Sequence, residues 1–301
     1  MIPARLHKGD AIGIASPSRI ATPEIYDPVF RTIEEMGFRA RPAKTLYASG
    51  WGFSATPNER AEALHELSED DNVKMIFFGG GEGADDVILA LDYARIARHP
   101  KIWLGFSDAT SILHAVHNRC GFDVYYGLSP IDLIRSDDGT RDGFLAFVAE
   151  GGCECHRKSS SWHILTRGRA EGILSAGYLE NYTYLANAGW IVPEADKKYI
   201  LCLEEHSMFF GVEHVSGEIG RLENSPMMAH TAGILFGEYS EEIDEHLLFR
   251  LRVLGKKYGI PMAYCHDFGH GRNKSIFRIG ARVALDTSGD GELRYLRDDD
   301  A

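Results

Sequence analysis

The sequence predicts an α/β protein, with a parallel, doubly wound sheet over residues 1–130 and a second domain that follows it. Three observations carry this. Short, continuous apolar runs alternate with helical patterns through the first 130 residues. Those runs end in glycine or small polar residues, as buried parallel strands do where they feed a loop. The texture then turns polar and glycine-rich, and most of the patterns beyond it read as strands. A chain of 301 residues also suits two cores better than one.

The elements follow in order. DAIGIASPS (10–18) is a short apolar run closing in small polar residues, a buried strand and its loop. PEIYDPVFRTIEEMG (23–37) has helical spacing and a glycine stop. PNERAEALHELSED (57–70) is a helix charged on one face. VKMIFFGGGEGADDVILALDYARIA (73–97) reads as strand, glycine-rich turn and helix, and KIWLGFSDATSILHAVHNRCG (101–121) repeats that pattern. FDVYYG (122–127) is one more strand. Residues 131–162 are expected to connect the domains, with one short amphipathic helix around FLAFVAE, and residues 163–301 form the second domain. There WHILTRGRAEGILSAG (162–177), KKYILCLEEHS (197–207), TAGILFG (231–237), IPMAYC (260–265) and SIFRIGARVALD (275–286) read as strands. A helix fragment precedes TAGILFG. SEEIDEHLLFRLRVLGKKYG (240–259) is an amphipathic helix with an acidic start and a basic end, which suits the helix dipole. No internal repeat or low-complexity tract is present.

Composition narrows the function classes. The chain is 44% hydrophobic and 25% charged, an ordinary globular profile, with a net charge of -12. An acidic chain repels phosphate backbones, which argues against binding a nucleic-acid polymer. No apolar stretch reaches the roughly 20 residues of a membrane helix, and the N-terminus lacks a signal-peptide pattern. A cytoplasmic location is expected. Five cysteines do not make a disulfide framework in a chain this long. Cys153 and Cys155 form a lone C-x-C with no second pair at zinc spacing and read as free thiols.

Two strand ends carry unusual chemistry. Ligands bind beyond the carboxyl ends of strands in open parallel sheets. Gly105-Phe106-Ser107-Asp108 places a serine at a tight strand-to-helix turn, at the positive end of a helix dipole, with the Asp108 N–H available to an oxyanion. Helix capping by Ser107 or Asp108 explains the same residues. Gly79-Gly80-Gly81-Glu82-Gly83 lacks the lysine of a Walker A loop and is too short for G-x-G-x-x-G. It reads as an oxyanion or substrate loop, since glycines let a backbone approach a substrate and aim its N–H groups.

A serine needs a base, and the base an orienting group. Of thirteen histidines, His114 and His117 lie on the helix after Ser107 and point away from its start. His266 and His270 sit in a glycine-flanked loop. Glu204 ends an apolar strand, where a carboxylate is costly unless paired, and Glu205 should point to the opposite face. Local reasoning leaves Glu204 against Glu205, and His266 against His270, open. A metal hydrolase using His266, Asp267 and His270 has the H-D-x-x-H spacing but no further obvious ligand.

The chain resembles the LD-carboxypeptidase family of serine peptidases, which includes the microcin C immunity peptidases. The marks come in order from about Pro3 to Asp286: LHKGDAIGIASPS, SATPNERAEAL, VKMIFFGGGEGADDVI, KIWLGFSDATSILHA, GRAEGILSAGYL, YILCLEEHS and DFGHGRNKSIFRIGARVALD. The resemblance implies an N-terminal Rossmann- or flavodoxin-like domain and a C-terminal domain with a small mixed β-barrel. It implies a homodimer and a Ser–Glu–His triad of Ser107, Glu204 and His270. Backbone N–H groups of Gly81 and Asp108 would be the oxyanion donors, and no metal or organic cofactor is needed.

The departures bear on substrate. The carboxypeptidase branch shows Arg-Gly-Gly-Tyr-Gly at the positions of Gly79 to Gly83, and the family's Gly-Gly-Asn is here Ala176-Gly177-Tyr178. Gly80, Glu82, Gly177 and Tyr178 are therefore candidate substrate contacts, and Arg272, which follows His270, could bind a substrate carboxylate or be a solvated loop charge. Tyr178, Tyr182, Tyr184 and Trp190 could stack on a planar group. Two substrates fit the family: a murein peptide, or a peptidyl- or aminoacyl-nucleotide of the microcin C type. A binding or regulatory protein on an inactivated scaffold is the competing class.

Overall fold

β1 (Ala11–Ala15) is buried throughout and pairs in parallel with β2 (Arg39–Pro42) on one side and β3 (Val73–Phe78) on the other. The computed structural model describes residues 1–19, 21–50, 54–135, 138–150 and 158–296. The chain divides into two units, Met1–Cys153 and Glu154–Ala301.

In the first unit β3 pairs in parallel with β4 (Ile102–Gly105), and β4 with β5 (Val124–Tyr126). The strand order is thus β5-β4-β3-β1-β2, and chain direction across the sheet reverses between β1 and β3. The carboxyl ends of strands beside such a reversal are where ligands bind. Beyond exposed Lys74, β3 and β4 are apolar runs because parallel strands are covered on both faces. β2, RARP, is largely exposed and charged, as an edge strand tolerates, and so leaves no apolar signal.

Helices connect these strands. α1 (Pro23–Glu35) starts at Pro23, and α2 (Pro57–Glu69) carries a Thr56–Glu59 capping box. The helix expected after the glycine loop is shorter than its pattern: a 3-10 turn at Ala84–Asp86, then α3 (Tyr93–Ala97), capped by the Asp92 side chain. α4 (Thr110–Cys120) ends at Gly121, which is left-handed at φ 75°.

The segment expected as a connection begins differently. α5 (Asp132–Arg135) and α6 (Asp138–Glu150) belong to the first unit. Phe144 of α6 stacks on Phe77 with ring centroids 5.5 Å apart, and Phe147 meets Tyr125 at 4.8 Å. These rings bury an apolar face that the polar flanks mask in the sequence. Cys153 and Cys155 lie outside the described residues. Cys120, Cys202 and Cys265 are free thiols.

The second unit holds a seven-stranded mixed sheet. β6 (His163–Thr166) leads by a short turn into β7 (Arg169–Tyr178) and α7 (Leu179–Asn187). β8 (Tyr199–Glu204), α8 (Val212–Asn224), β9 (Thr231–Glu238) and α9 (Glu245–Tyr258) follow. β10 (Met262–Gly269), β12 (Arg282–Asp286) and β13 (Glu292–Tyr295) complete the sheet, and the short β11 (Phe277–Ile279) is not one of its seven strands. The sheet order is β13-β12-β7-β8-β9-β10-β6. The four central strands run parallel, and β6, β12 and β13 are antiparallel to their neighbours.

This sheet curls into a half-barrel, the mixed barrel that the resemblance implies. The turn between β6 and β7 bonds across to the end of β12, with the Thr287 N–H donating to Gly168 C=O at 2.9 Å. Lys158 Nζ reaches the Asp290 and Gly291 carbonyls at 2.7 and 2.8 Å. α9 has the ends its charges predict, an Asp244 cap and Lys256–Lys257 in the last turn before left-handed Gly259.

Candidate active site

In the first unit the glycine loop and the serine turn leave neighbouring strands, since Phe77 of β3 pairs with Leu104 of β4. Gly105 ends β4 because a Cβ there would stand 2.5 Å from the Ala109 Cβ. The chain then turns so sharply that Ser107 takes φ 58°, the only positive φ of a non-glycine among the described residues. A serine held in the left-handed region costs about 1–2 kcal/mol. Such strain persists at sites where the surrounding structure enforces it.

The turn is held from several sides. The Ser107 N–H donates to Tyr126 Oη at 3.3 Å, and its carbonyl accepts from Thr110 Oγ1 at 2.6 Å. Asp108 is buried, and its carboxylate accepts the Ala84 N–H at 3.0 Å. That bond ties the serine turn to the end of the glycine loop, a role the sequence did not show. Gly81 has φ 147°, and a Cβ there would lie 2.8 Å from the Arg19 Cβ. Gly80 has open space where a side chain would stand, and Glu82 is exposed.

Arg60 is the second residue missed by sequence reasoning. It sits on α2 among charges that read as a solvated face, yet its side chain is fully buried. It binds the carbonyls of Pro17 and Gly83, and both oxygens of Asp86 at 2.8 and 2.9 Å. One guanidinium thus ties the loop after β1 to the loop after β3. His114 is buried on α4, and His117 Nδ1 bonds the Phe122 carbonyl at 2.9 Å.

In the second unit the parallel strands deliver four residues to one edge: Tyr178 ends β7, Glu204 ends β8, Glu238 ends β9, and His270 follows β10. Tyr178 and Glu204 are register partners. Glu204 is fully buried, and its Oε2 lies 2.8 Å from His270 Nδ1. The flanking glycines have distinct reasons. Gly269 has φ 113°, and a Cβ on Gly271 would overlap the Glu238 carboxyl. Tyr178 and Phe209 pack edge-on against the His270 ring, at 5.3 and 5.1 Å between centroids.

Glu205 and His266 lie elsewhere. Glu205 is fully buried just beyond the strand end. Burial first, opposed by interaction with Tyr178 and the His206 N–H, pushes its pKa up to about 8. His206 is held below its usual value, mainly by burial and then by His270. His266 pairs with Glu238 at 3.3 Å. The Asp267 carboxylate is occupied by the N–H groups of Ser159 and Ser160, the Ser160 hydroxyl and Trp162 Nε1, at 2.7 to 3.0 Å. H-D-x-x-H is therefore a structural clamp on the strap before β6 rather than a metal motif.

Gly177 is buried on β7, opposite Leu203. Arg272 is exposed, 3.8 Å from an equally exposed Glu241. Tyr182 is core, with its hydroxyl 2.9 Å from Ser175 Oγ, while Tyr184 is exposed. Glu180, His214 and Glu218 bring ligand-type atoms within 4.8 Å of one another. Both Glu218 oxygens are already engaged, by Thr183 and Arg221, so this is an ion-pair network.

The family models decide the relationship. The LD-carboxypeptidase N-terminal domain matches residues 12–127, and the C-terminal domain matches residues 171–285. The chain belongs to the LD-carboxypeptidase family. It is 26% identical over 300 residues to the "Probable murein peptide carboxypeptidase" of Bacillus subtilis (strain 168), covering 95% of this chain and 92% of that one. It is 31% identical over 131 residues to the microcin C7 self-immunity protein MccF of Escherichia coli, covering 42% of this chain and 38% of that one.

Solved structures agree on the fold. A MccF-like protein from Bacillus anthracis str. Ames superposes with a TM-score of 0.88 at 23% identity, covering 98% of this chain and 99% of that one. MccF in complex with glutamyl sulfamoyl guanosine gives 0.80 at 21%, covering 98% of each chain. Among the described residues no helix is long and apolar enough to cross a membrane.

Proposed function

We propose that this chain is a serine peptidase that hydrolyses an amide bond through Ser107, His270 and Glu204. The observation that carries the reading is the buried Glu204 carboxylate 2.8 Å from His270 Nδ1. That bond is what an orienting acid makes to a catalytic imidazole. The strained Ser107 turn in the other unit supports it.

In this mechanism His270 Nε2 takes the Ser107 proton as Oγ attacks the carbonyl carbon. Glu204 keeps the proton on Nδ1 beforehand and stabilises the imidazolium afterwards. Backbone N–H groups of Gly81 and Asp108 donate to the tetrahedral oxyanion. His270 then protonates the leaving amine, and water hydrolyses the acyl-enzyme by the same steps in reverse. The reaction uses no metal. The enzyme is a homodimer, as the resemblance implies, and light scattering tests the dimer.

Two substrate classes follow from the relatives. A murein peptide is supported by the Bacillus subtilis protein's name. An aminoacyl- or peptidyl-nucleotide is supported by the nucleotide analogue in the MccF structure and by Phe209, half-exposed beside Tyr178 and His270, where a planar group could stack. The deciding experiment follows hydrolysis of a murein tetrapeptide and a peptidyl-adenylate analogue by mass spectrometry, with Ser107→Ala as control. Cleavage of either by wild type alone supports the reading and assigns the substrate. Cleavage of neither, together with no fluorophosphonate labelling of Ser107, favours a binding protein on this scaffold.

A further inference from the structure

Glu204 and His270 come from strands that are not neighbours. β9 lies between β8 and β10, and a strand spacing of about 4.8 Å puts roughly 9–10 Å between the two outer backbones. Yet Glu204 Oε2 and His270 Nδ1 are 2.8 Å apart. The chain leaving β10 must therefore lean across the end of β9. Glu238 closes β9 and has no part in the steps above.

The backbone shows how the crossing is made. β10 advances five residues from Tyr264 to Gly269 while β9 advances two from Phe236 to Glu238, so Cys265 to Phe268 bulge and Gly269 returns to pair with Glu238. Such close approach needs small residues. A Cβ on Gly237 would stand 2.8 Å from the Phe268 carbonyl, and one on Gly269 would stand 3.1 Å from the Glu238 carbonyl.

The Glu238 carboxyl touches this crossing on both sides of His270 in the chain. Its Oε2 lies 3.3 Å from His266 Nδ1, inside the bulge. The same carboxyl fills the place of a side chain on Gly271, where a Cβ would overlap the carboxyl carbon and both oxygens. Gly271 is not among the left-handed glycines, so the carboxyl rather than the backbone requires glycine there. The carboxyl has little freedom to swing aside. Its side chain is 8% exposed. His266 is itself fixed, with its N–H donating to Ser160 Oγ at 3.1 Å and its carbonyl accepting from Asn273 Nδ2 at 2.8 Å.

We propose that Glu238 is a positioning residue whose carboxyl, set against His266 and Gly271, seats the loop that carries His270 across β9 onto Glu204. The effect on rate rests on His270 being the base, as proposed above. The seating of the imidazole does not.

The test uses the full chain with nitrogen-15 in its histidines. Proton NMR follows the His270 Nδ1–H in its bond to Glu204, assigned by its loss in His270→Gln. Wild type shows the signal, and so does Glu238→Gln, which keeps the volume over Gly271 and an acceptor for His266. Glu238→Ala and Gly271→Ala no longer show it, in protein with native circular dichroism. Gly271→Ala serves if Glu238→Ala does not fold. A signal unchanged in position and width in either folded alanine variant overturns the proposal.

In parallel, the rate of fluorophosphonate labelling is compared in two backgrounds. In wild type, Gly271→Ala slows labelling by about a hundredfold, as a displacement of about 1 Å at a reacting group does. In Glu238→Ala the colliding carboxyl is gone, and the same substitution slows labelling by less than about threefold. Equal slowing in both backgrounds overturns the proposal. Absence of labelling in wild type counts against the serine reading, and the Nδ1–H signal then decides this proposal alone.

Discussion

Glu204 Oε2 lies 2.8 Å from His270 Nδ1, and the carboxylate is fully shielded from water while the histidine keeps 11% of its side chain exposed. The pair is thus a buried acid behind a reachable imidazole. Glu204→Gln preserves the volume but offers an amide where the imidazole N–H needs an acceptor. Steady-state kinetics on the cleaved substrate should show kcat lower by about 10⁴ with KM little changed. A loss under tenfold would remove Glu204 from the mechanism.

Ser107 carries both chemistry and strain. Ser107→Ala should lower kcat by at least about a thousandfold while leaving the folded state intact. Ser107→Gly should be equally inactive yet more stable than Ser107→Ala by about 1–2 kcal/mol, because glycine has no Cβ to strain at φ 58°. Urea denaturation of the two variants measures the difference, and equal midpoints would mean that the turn is relaxed.

Arg60 holds two loops from beneath without being a candidate for substrate contact. Arg60→Met removes the cation from Asp86 and leaves the carbonyls of Pro17 and Gly83 without their donor. Stability should fall by about 1–3 kcal/mol, the cost of leaving buried acceptors without their donor, since Asp86 itself is partly exposed. Fluorophosphonate labelling should fall as well, since Gly81 lies in the tethered loop. Unchanged labelling in a folded variant would separate the loop from the reaction.

Glu205 makes stability depend on pH in the direction opposite to a salt-bridged acid. Its pKa is raised from 4.5 to about 8, so between those values the folded state holds a proton that the unfolded state has lost. Stability contributed by the neutral acid is complete below pH 4.5 and declines as pH rises to about 8. Glu205→Gln does not titrate. Its stability relative to wild type should increase across that window, by up to about 1.4 kcal/mol per pH unit. A constant difference between the two proteins, measured by urea denaturation from pH 4 to 9, would show that Glu205 ionises normally.

Much of the first unit is legible residue by residue. β1, β4 and β3 beyond Lys74 read as apolar runs because both their faces are covered, and Gly105 and the glycine loop mark where β4 and β3 end. β2 is not legible, because RARP is an exposed edge whose order comes from pairing with β1 rather than from its own side chains. α6 is legible as a helix but not as part of the first unit. What places it there is the stacking of Phe144 on Phe77, a contact between residues far apart in the chain.

The sequence by itself determined which residues could act. A serine at a strand-to-helix turn, a glutamate closing an apolar strand and a histidine between glycines are local patterns, produced by local backbone geometry and desolvation. The ordered motifs supplied the family. With the family came the choice of Glu204 and His270 from the paired options, and only the tertiary structure shows why these two meet. Glu204 and His270 are 66 residues apart, and they touch because β8, β9 and β10 lie side by side in parallel and release their carboxyl ends at one edge. The same arrangement buries Glu205, and in the first unit the carbonyls of Pro17 and Gly83 and the Asp86 carboxylate turn Arg60 inward. Hydrogen-bond partners and burial depend on strand order and register, which no window of neighbouring residues contains.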